Sequence, residues 1–309
     1  MTSTARSSIV ITLALLLGAC ATPTPRTAAA ALPTSASASA VATPAPILKQ
    51  TTPAPDDNLN AVVWQQTSVE AKLLSEQAYR DATDRLDAAL RDKGWDALTK
   101  EERTTPIKGL PPVVVLDVDE TVLDNSPYQA RLIRDGRAYD DASWADWAHE
   151  EAARAIPGAL DFAKAAAAKG IRVIYISNRA QDLNDATLDN LRKLGFPIAD
   201  KDVFLGLGTY VKDCEQNGSE KTCRRELVGS KYRVLMQFGD QVGDFAGVIA
   251  NTPEGRVAAM QPYLGWIGER WFVLPNPTYG SWEPALFNND WTQPDEVRRA
   301  MKIKALRTQ

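Results

Sequence analysis

The stretch VVVLDVDETVLDN, residues 113–125, decides how the rest of the chain is read. Four apolar residues run straight into Asp117, Asp119, Glu120 and Asp124. A short, continuous apolar run is what a strand covered on both faces requires. Carboxylates crowded at the tip of such a strand repel one another, so something must offset them. An EF-hand loop is not the answer. Counted from Asp117, its sixth position is Val122 where glycine is needed, and its twelfth is Tyr128 rather than glutamate.

Working outward, the pattern alternates. Asn58 to Gly94 is helical, with Tyr79, Ala82, Leu86, Ala89 and Leu90 at steps of three or four. VVVL (113–116) is a strand, and a polar, Trp-bearing insert follows from Asn125 to Ile156. Pro157 opens the helix PGALDFAKAAAAKG, which Gly170 ends. RVIYIS (172–177) is a strand and DLNDATLDNLRKLG (182–195) a helix. VFLGL (203–207) is a strand, 222–228 a helix, RVLMQFG (233–239) a strand and WFVLPN (271–276) a late one. Strands alternating with helices predict βαβ units and a parallel sheet. Such sheets bind ligands outside the carboxyl ends of their strands.

Three strand ends carry chemistry. The first ends in Asp117-Val118-Asp119, the second in Ser177-Asn178-Arg179, and RVLMQFG in Asp240, with Asp244 four residues on. Lys221 stands just before Arg224 and Arg225. A lone aspartate after a strand is more often a helix cap or turn former. It is the joint occurrence that is specific. Clustered Asp oxygens suit magnesium, which shares its remaining shell with phosphate. A hydroxyl and an ammonium, from Ser177 and Lys221, suit phosphate oxygens. Asp117 and Asp119 can then divide the labour, one attacking phosphorus and the other moving protons.

The bulk numbers agree. With 309 residues, 44% of them hydrophobic, there is material for a sizeable core. A net charge of -4 and a pI near 5.3 exclude a broad basic surface, hence a nucleic acid polymer as partner. The N-terminus is read apart from the fold. Residues 1–19 carry the short apolar run of a secretory signal peptide, too short for a confident membrane span. Residues 20–57, rich in Ala, Thr, Pro and Ser, cannot offset their ordering entropy and read as a disordered tether. Cys214 and Cys223 are the only cysteines of the 58–309 head. In an oxidising compartment they are candidates for a disulfide.

Two resemblances organise these readings. Leu17-Gly18-Ala19-Cys20 resembles the lipobox of bacterial lipoproteins, which implies lipidation of Cys20 and attachment to a bacterial cell envelope, at the outer membrane. DVDET (117–121) resembles the first motif of the haloacid dehalogenase superfamily, with Ser177, Lys221, and Asp240 with Asp244 matching the second, third and fourth. VLDVDETVLDNSPY (115–128) and VLMQFGDQVGDF (234–245) resemble the two signature segments of class C acid phosphatases, and SWADWAHEEAARAIPGALDF (143–162) and NPTYGSWE (276–283) are also similar to that family.

The resemblance implies an α/β fold: a haloacid-dehalogenase-like Rossmannoid parallel sheet flanked by helices. Its core would span about 108–280, with a small helical cap from about 58–95 and 125–156. It implies a magnesium-dependent acid phosphatase of acidic optimum that hydrolyses phosphate monoesters, nucleoside 5'-monophosphates foremost, through an aspartyl-phosphate. Asp117 would be nucleophile and metal ligand. Asp119 would be general acid and base, its main-chain carbonyl also on the metal. Asp240 would be a direct metal ligand and Asp244 a supporting one, acting through water, and Ser177 and Lys221 would hold phosphate. Thr121 would order the loop, while Trp144 and Tyr279 would flank the leaving group. Gln241 and Val242 depart from the family's fourth motif, and Lys231 rivals Lys221 as third-motif lysine, though KTCRR matches the family run better. The alternatives are a broad phosphatase or phosphotransferase without nucleotide preference, and a non-catalytic surface-binding lipoprotein.

Overall fold

The computed structural model describes residues 55–309. The signal segment, Cys20 and the tether up to residue 54 lie outside the described residues. Two helices lead, α1 (Leu59–Thr67) and α2 (Val69–Arg91), separated by Ser68, whose side chain caps α2 by accepting from the Ala71 N–H at 3.0 Å. The helical stretch read over 58–94 is therefore two helices, with Trp64 in the first. The apolar stripe is as read: Tyr79, Ala82, Leu86 and Ala89 are buried.

Strand β1 (Pro112–Leu116) comes next, then β2 (Leu123–Asp124), which pairs antiparallel with β3 (Arg154–Ala155). Between these two lie the insert's helices, α3 (Ser126–Asp135) and α4 (Asp141–Glu150). Gly136 ends α3 at φ 60°, a left-handed cap that costs glycine little. Asp140 caps α4 through the Ser143 N–H at 2.8 Å. Then follow α5 (Ala159–Ala168), β4 (Arg172–Ala180), α6 (Asn184–Leu194), β5 (Phe204–Leu207), α7 (Thr222–Lys231) and β6 (Arg233–Gly239). α8 (Pro253–Met260), β7 (Trp271–Val273) and α9 (Asp295–Lys304) complete the chain. Among the described residues no helix is long and apolar enough to cross a membrane.

The five main strands form one parallel sheet in the order β5-β4-β1-β6-β7. Alternate residues of a strand face opposite sides. Val114 and Leu116 accordingly join one core with Tyr79, Phe162 and Phe238, while Val113 and Val115 join a second with Ile174, Val234 and Trp271. Both faces of β1 are covered, which explains its unbroken apolar run. Because β1 is central, with β4 and β6 on either side, its carboxyl end lies beside both of theirs. The Asp117 N–H donates to the Phe238 carbonyl at 2.9 Å, which carries that pairing one residue beyond the strand.

Several element ends differ from the sequence reading: α7 runs on to Lys231 rather than 228, and β7 stops at Val273 rather than 276. β4 runs on to Ala180, beyond the expected end at Ser177, so Asn178 and Arg179 belong to the strand rather than to a loop after it. α8 and α9, which carry no fully buried residue, were not read from the sequence.

Candidate active site

The DVDET segment leaves β1 in a tight turn. The N–H groups of Thr121, Val122 and Leu123 all donate to the Val118 carbonyl, and the Glu120 N–H donates to the Leu123 carbonyl at 2.8 Å. Glu120 sits in the left-handed region at φ 57°, uncommon for a residue with a side chain. Its buried carboxylate accepts from the Asn125 N–H at 2.7 Å, which closes the loop. The Tyr79 hydroxyl, from α2, donates to the Thr121 carbonyl at 2.6 Å.

This turn presents Asp117 to residues from β6 and α7. Asp117, Asp240 and Asp244 each place a carboxylate oxygen within 4.8 Å of the others. Lys221 Nζ donates to Asp117 Oδ1, and to Asp244 Oδ1 at 2.6 Å. Thr121 Oγ1 donates to Asp117 Oδ2 at 2.8 Å. Lys221 is therefore the lysine that reaches the aspartates, while Lys231 is exposed at the far end of α7. The Asp244 carboxylate is packed so closely on Gly239 that a Cβ there would lie 2.2 Å from Asp244 Oδ2.

Gln241, one of the departures in the fourth motif, is put to use. Its N–H donates to Asp244 Oδ2 at 2.8 Å and its side-chain amide to Asp240 Oδ2 at 2.8 Å. Its amide oxygen accepts from the Ser281 N–H at 3.2 Å. Asn276 adds a bond to Asp240 Oδ2 at 2.7 Å. The NPTYGSWE segment is thereby tied to Asp240.

The Asp119 carboxylate lies outside the aspartate trio. It accepts from Arg179 Nε at 2.9 Å, from Asn125 Nδ2 at 2.9 Å and from Ser177 Oγ at 3.2 Å. The Ser177 hydroxyl thus serves Asp119 here. Sequence reasoning quoted Arg179 but gave it no role, and passed over Asn125. Neither residue has a local signature, since their roles arise from contacts with distant segments. Trp147 Nε1 donates to Asn125 Oδ1 at 2.8 Å, and the Arg179 guanidinium lies 5.2 Å over the Trp144 ring.

Trp144 is half-buried and is also flanked by Tyr128 and Tyr139. Of that aromatic group, Tyr139 is the exposed ring, at 56%. It was missed at the sequence level because a lone tyrosine in a polar insert carries no pattern. Tyr279 is half-buried, with a hydroxyl that finds no partner. Cys214 and Cys223 are joined as a disulfide, which fastens the loop before Lys221 to the first turn of α7.

The electrostatics follow from burial. Asp117 is pushed up to about 7, because it is removed from water and faces Asp244 and Asp119, against the opposing pull of Lys221. Asp240 is held well above the ordinary range by burial, then by Asp244 and Asp117. Glu120 is raised in the same direction by burial and Asp119. Burial lowers Lys221, but Asp117 and Asp244 more than offset it, so the ammonium is retained. Three converging carboxylates with only one ammonium among them are left short of positive charge. Hard oxygen donors in this number suit a divalent cation such as magnesium, which completes its shell with water or phosphate.

Comparison with known proteins points the same way. Residues 25–282 match the family described as HAD superfamily, subfamily IIIB (Acid phosphatase). The class C acid phosphatase from Bacillus anthracis superposes with a TM-score of 0.70 at 36% identity, covering 82% of this chain and 97% of that one. Its tungstate-bound crystal structure superposes equally well at 35% identity. Acid phosphatase 1 of Solanum lycopersicum is 26% identical over 167 residues, 54% of this chain and 58% of that protein. The Stem 28 kDa glycoprotein of Glycine max is 28% identical over 172 residues, 53% of this chain and 58% of that protein. The chain spans a little over half the length of these two relatives. Their names differ in kind, so activity has to be argued from the site and not from the fold. The chain belongs to the haloacid dehalogenase superfamily, subfamily IIIB, the acid phosphatases.

Proposed function

We propose that this protein is a magnesium-dependent acid phosphatase that hydrolyses phosphate monoesters, nucleoside 5'-monophosphates among them, through an aspartyl-phosphate on Asp117. The observation that carries this reading is the convergence of Asp117, Asp240 and Asp244 within 4.8 Å, with Lys221 bridging Asp117 and Asp244. Asp117, Asp240 and Asp244 would hold the cation, with the Asp119 carbonyl as a further oxygen. When bound, the cation neutralises charge on the transferring phosphoryl group.

The chain's own residues account for the rest. The Asp117 carboxylate attacks phosphorus as the ester P–O bond breaks. Asp119 gives its proton to the departing alkoxide, then takes one from the water that attacks the aspartyl-phosphate. Products are the alcohol and inorganic phosphate, with both aspartates regenerated. Lys221 and Ser177 hold the phosphoryl oxygens. Arg179 and Asn125 aim Asp119. The insert and the N-terminal helices act as a cap that contacts the leaving group and excludes water. Trp144, Tyr279 and the exposed Tyr139 supply aromatic surface there. Stacking of a base on such rings contributes about 1–3 kcal/mol in other systems. The Bacillus anthracis relative has been solved with tungstate bound, a tetrahedral oxyanion like phosphate, in keeping with a phosphate ester as substrate.

On the sequence side, a lipid on Cys20 would tether the head to the bacterial outer membrane. Loss of membrane association in a Cys20→Ala chain tests that anchor. The central test is a turnover screen over nucleoside monophosphates, sugar phosphates and an aryl phosphate, with and without a chelator. We expect chelator-sensitive turnover that is fastest on the nucleotides. Equal rates across all esters would favour the broad phosphatase, and no turnover on any ester would favour a binding role.

A further inference from the structure

Lys221, Arg224 and Arg225 cluster at the start of α7, and each reaches a different part of the site. Lys221 bonds Asp117 and Asp244. Arg224 turns the other way, donating to the Ser177 carbonyl at 2.5 Å and to Asn178 Oδ1 at 2.7 Å. Arg225 donates from Nη1 to the Gly243 carbonyl at 2.6 Å, on the peptide that leads directly into Asp244. Its Nε and Nη2 grip both oxygens of Glu102, at 2.8 and 2.5 Å, across 123 residues of sequence. Both partners are buried, Arg225 completely.

A buried ion pair is a weak source of net stability, because desolvation consumes much of the attraction. Its position offers another use. The Asp244 carboxylate is already held from the front by the Gln241 N–H and by Lys221. Arg225 holds the backbone of the same turn from behind. Lysine could not do both jobs, since a single ammonium cannot reproduce a planar fork that serves Glu102 and Gly243 together.

We infer that Arg225, oriented by Glu102, is a positioning residue for the cation site: it sets the 241–244 turn so that Asp244 faces Asp117 and Asp240. This inference rests on the reading of those three aspartates as metal ligands. It separates Arg225 from its neighbour Arg224, which braces the end of β4 at Ser177 and Asn178 and hence the phosphate end of the pocket.

The test compares Arg225→Lys, the double variant Glu102→Leu with Arg225→Met, and Arg224→Lys against the wild type. Mn2+ is titrated calorimetrically as the probe cation. Inhibition by inorganic phosphate is measured at saturating Mn2+, and cooperative thermal unfolding serves as the check on folding. Loss of an outer contact to a metal ligand typically weakens binding 10–100-fold, so both Arg225 variants are expected to bind Mn2+ at least about tenfold more weakly, with phosphate inhibition within about twofold of wild type. Arg224→Lys is expected to show the reverse split. A cooperatively folded Arg225 variant with wild-type Mn2+ affinity would overturn the inference. So would failure of both Arg225 variants to fold, which would assign the pair to stability alone. A wild type that binds no Mn2+ would instead overturn the metal-ligand reading itself.

Discussion

Arg179 Nε donates to Asp119 Oδ1 at 2.9 Å, and the same guanidinium lies 5.2 Å over the ring of Trp144. One buried cation therefore links the carboxylate assigned to proton transfer with the insert assigned to the leaving group. Arg179→Met would leave Asp119 held only by Asn125 and Ser177. General acid–base catalysis is worth 10²–10⁴-fold, and losing its alignment forfeits part of that, so we expect kcat to fall roughly 10–100-fold with a smaller change in KM. Arg179→Lys should recover part of the loss. A rise in KM at constant kcat would point to substrate binding instead.

Asp119→Asn removes the proton donor. Turnover of alkyl phosphates should fall by about 10²–10⁴-fold. An aryl phosphate, whose leaving group departs without a proton, should lose much less in the first step. Steady-state rates on the two ester types, with trapping of the phosphorylated protein, check this. Equal losses on both would remove Asp119 from the proton-transfer role.

Metal removal and pH are coupled. Asp117 rises from an ordinary carboxylate value to about 7 on folding, and Asp240 and Glu120 shift in the same direction. Where the folded chain binds more protons than the unfolded one, stability falls as pH rises; for Asp117 that fall runs from the ordinary carboxylate range up to about 7, and Asp240 and Glu120 act in the same direction. In chelator, the Tm should therefore decline from mildly acid to neutral pH. Added Mg2+ should raise it more at neutral than at acid pH, because the cation competes with those protons. A chelated Tm that climbs across this window would contradict the assignment.

Gly239→Ala tests the packing beneath Asp244. The new methyl would fall 2.2 Å from Asp244 Oδ2 and 2.3 Å from its Cβ, so the side chain must move. Loss of Mn2+ binding with cooperative unfolding retained is the expected result, read by calorimetry and a thermal melt. Unchanged Mn2+ affinity would show that Asp244 is dispensable as a ligand.

The Cys214–Cys223 disulfide closes a loop with a sequence separation of 9, and Cys223 stands two residues after Lys221. Loop-closure entropy for a ring of this size is worth about 2.5 kcal/mol. The Cys214→Ser, Cys223→Ser variant should melt several degrees lower and show a raised KM for phosphate esters. Reductant should lower the wild-type Tm and leave that of the variant unmoved. Identical melting of the two proteins would mean that the bridge contributes nothing to stability.

Much of the architecture was legible because it is periodic. β6 was read at its observed bounds, Arg233 to Gly239, and the α2 stripe at Tyr79, Ala82, Leu86 and Ala89 was read from spacing alone. Apolar runs and helical steps are local, and burial of an apolar face governs both. α9 was not read: it is short and strongly charged, and none of its residues is fully buried. Glu102 and Asn125 escaped for a different reason. Each is an ordinary polar residue until a partner arrives from far along the chain.

By itself, then, the amino-acid order determined the alternation of strands and helices, the parallel sheet, and which strands end in acids, a serine or a glycine. Only the tertiary structure decided that Lys221 meets Asp117 across 104 residues, that Ser177 turns to Asp119, and that Arg225 is shared by Glu102 and Gly243. The reason is physical. Local patterns reflect which face of an element is buried, whereas a side-chain contact between distant residues depends on strand order and register, and these exist only once the sheet has assembled.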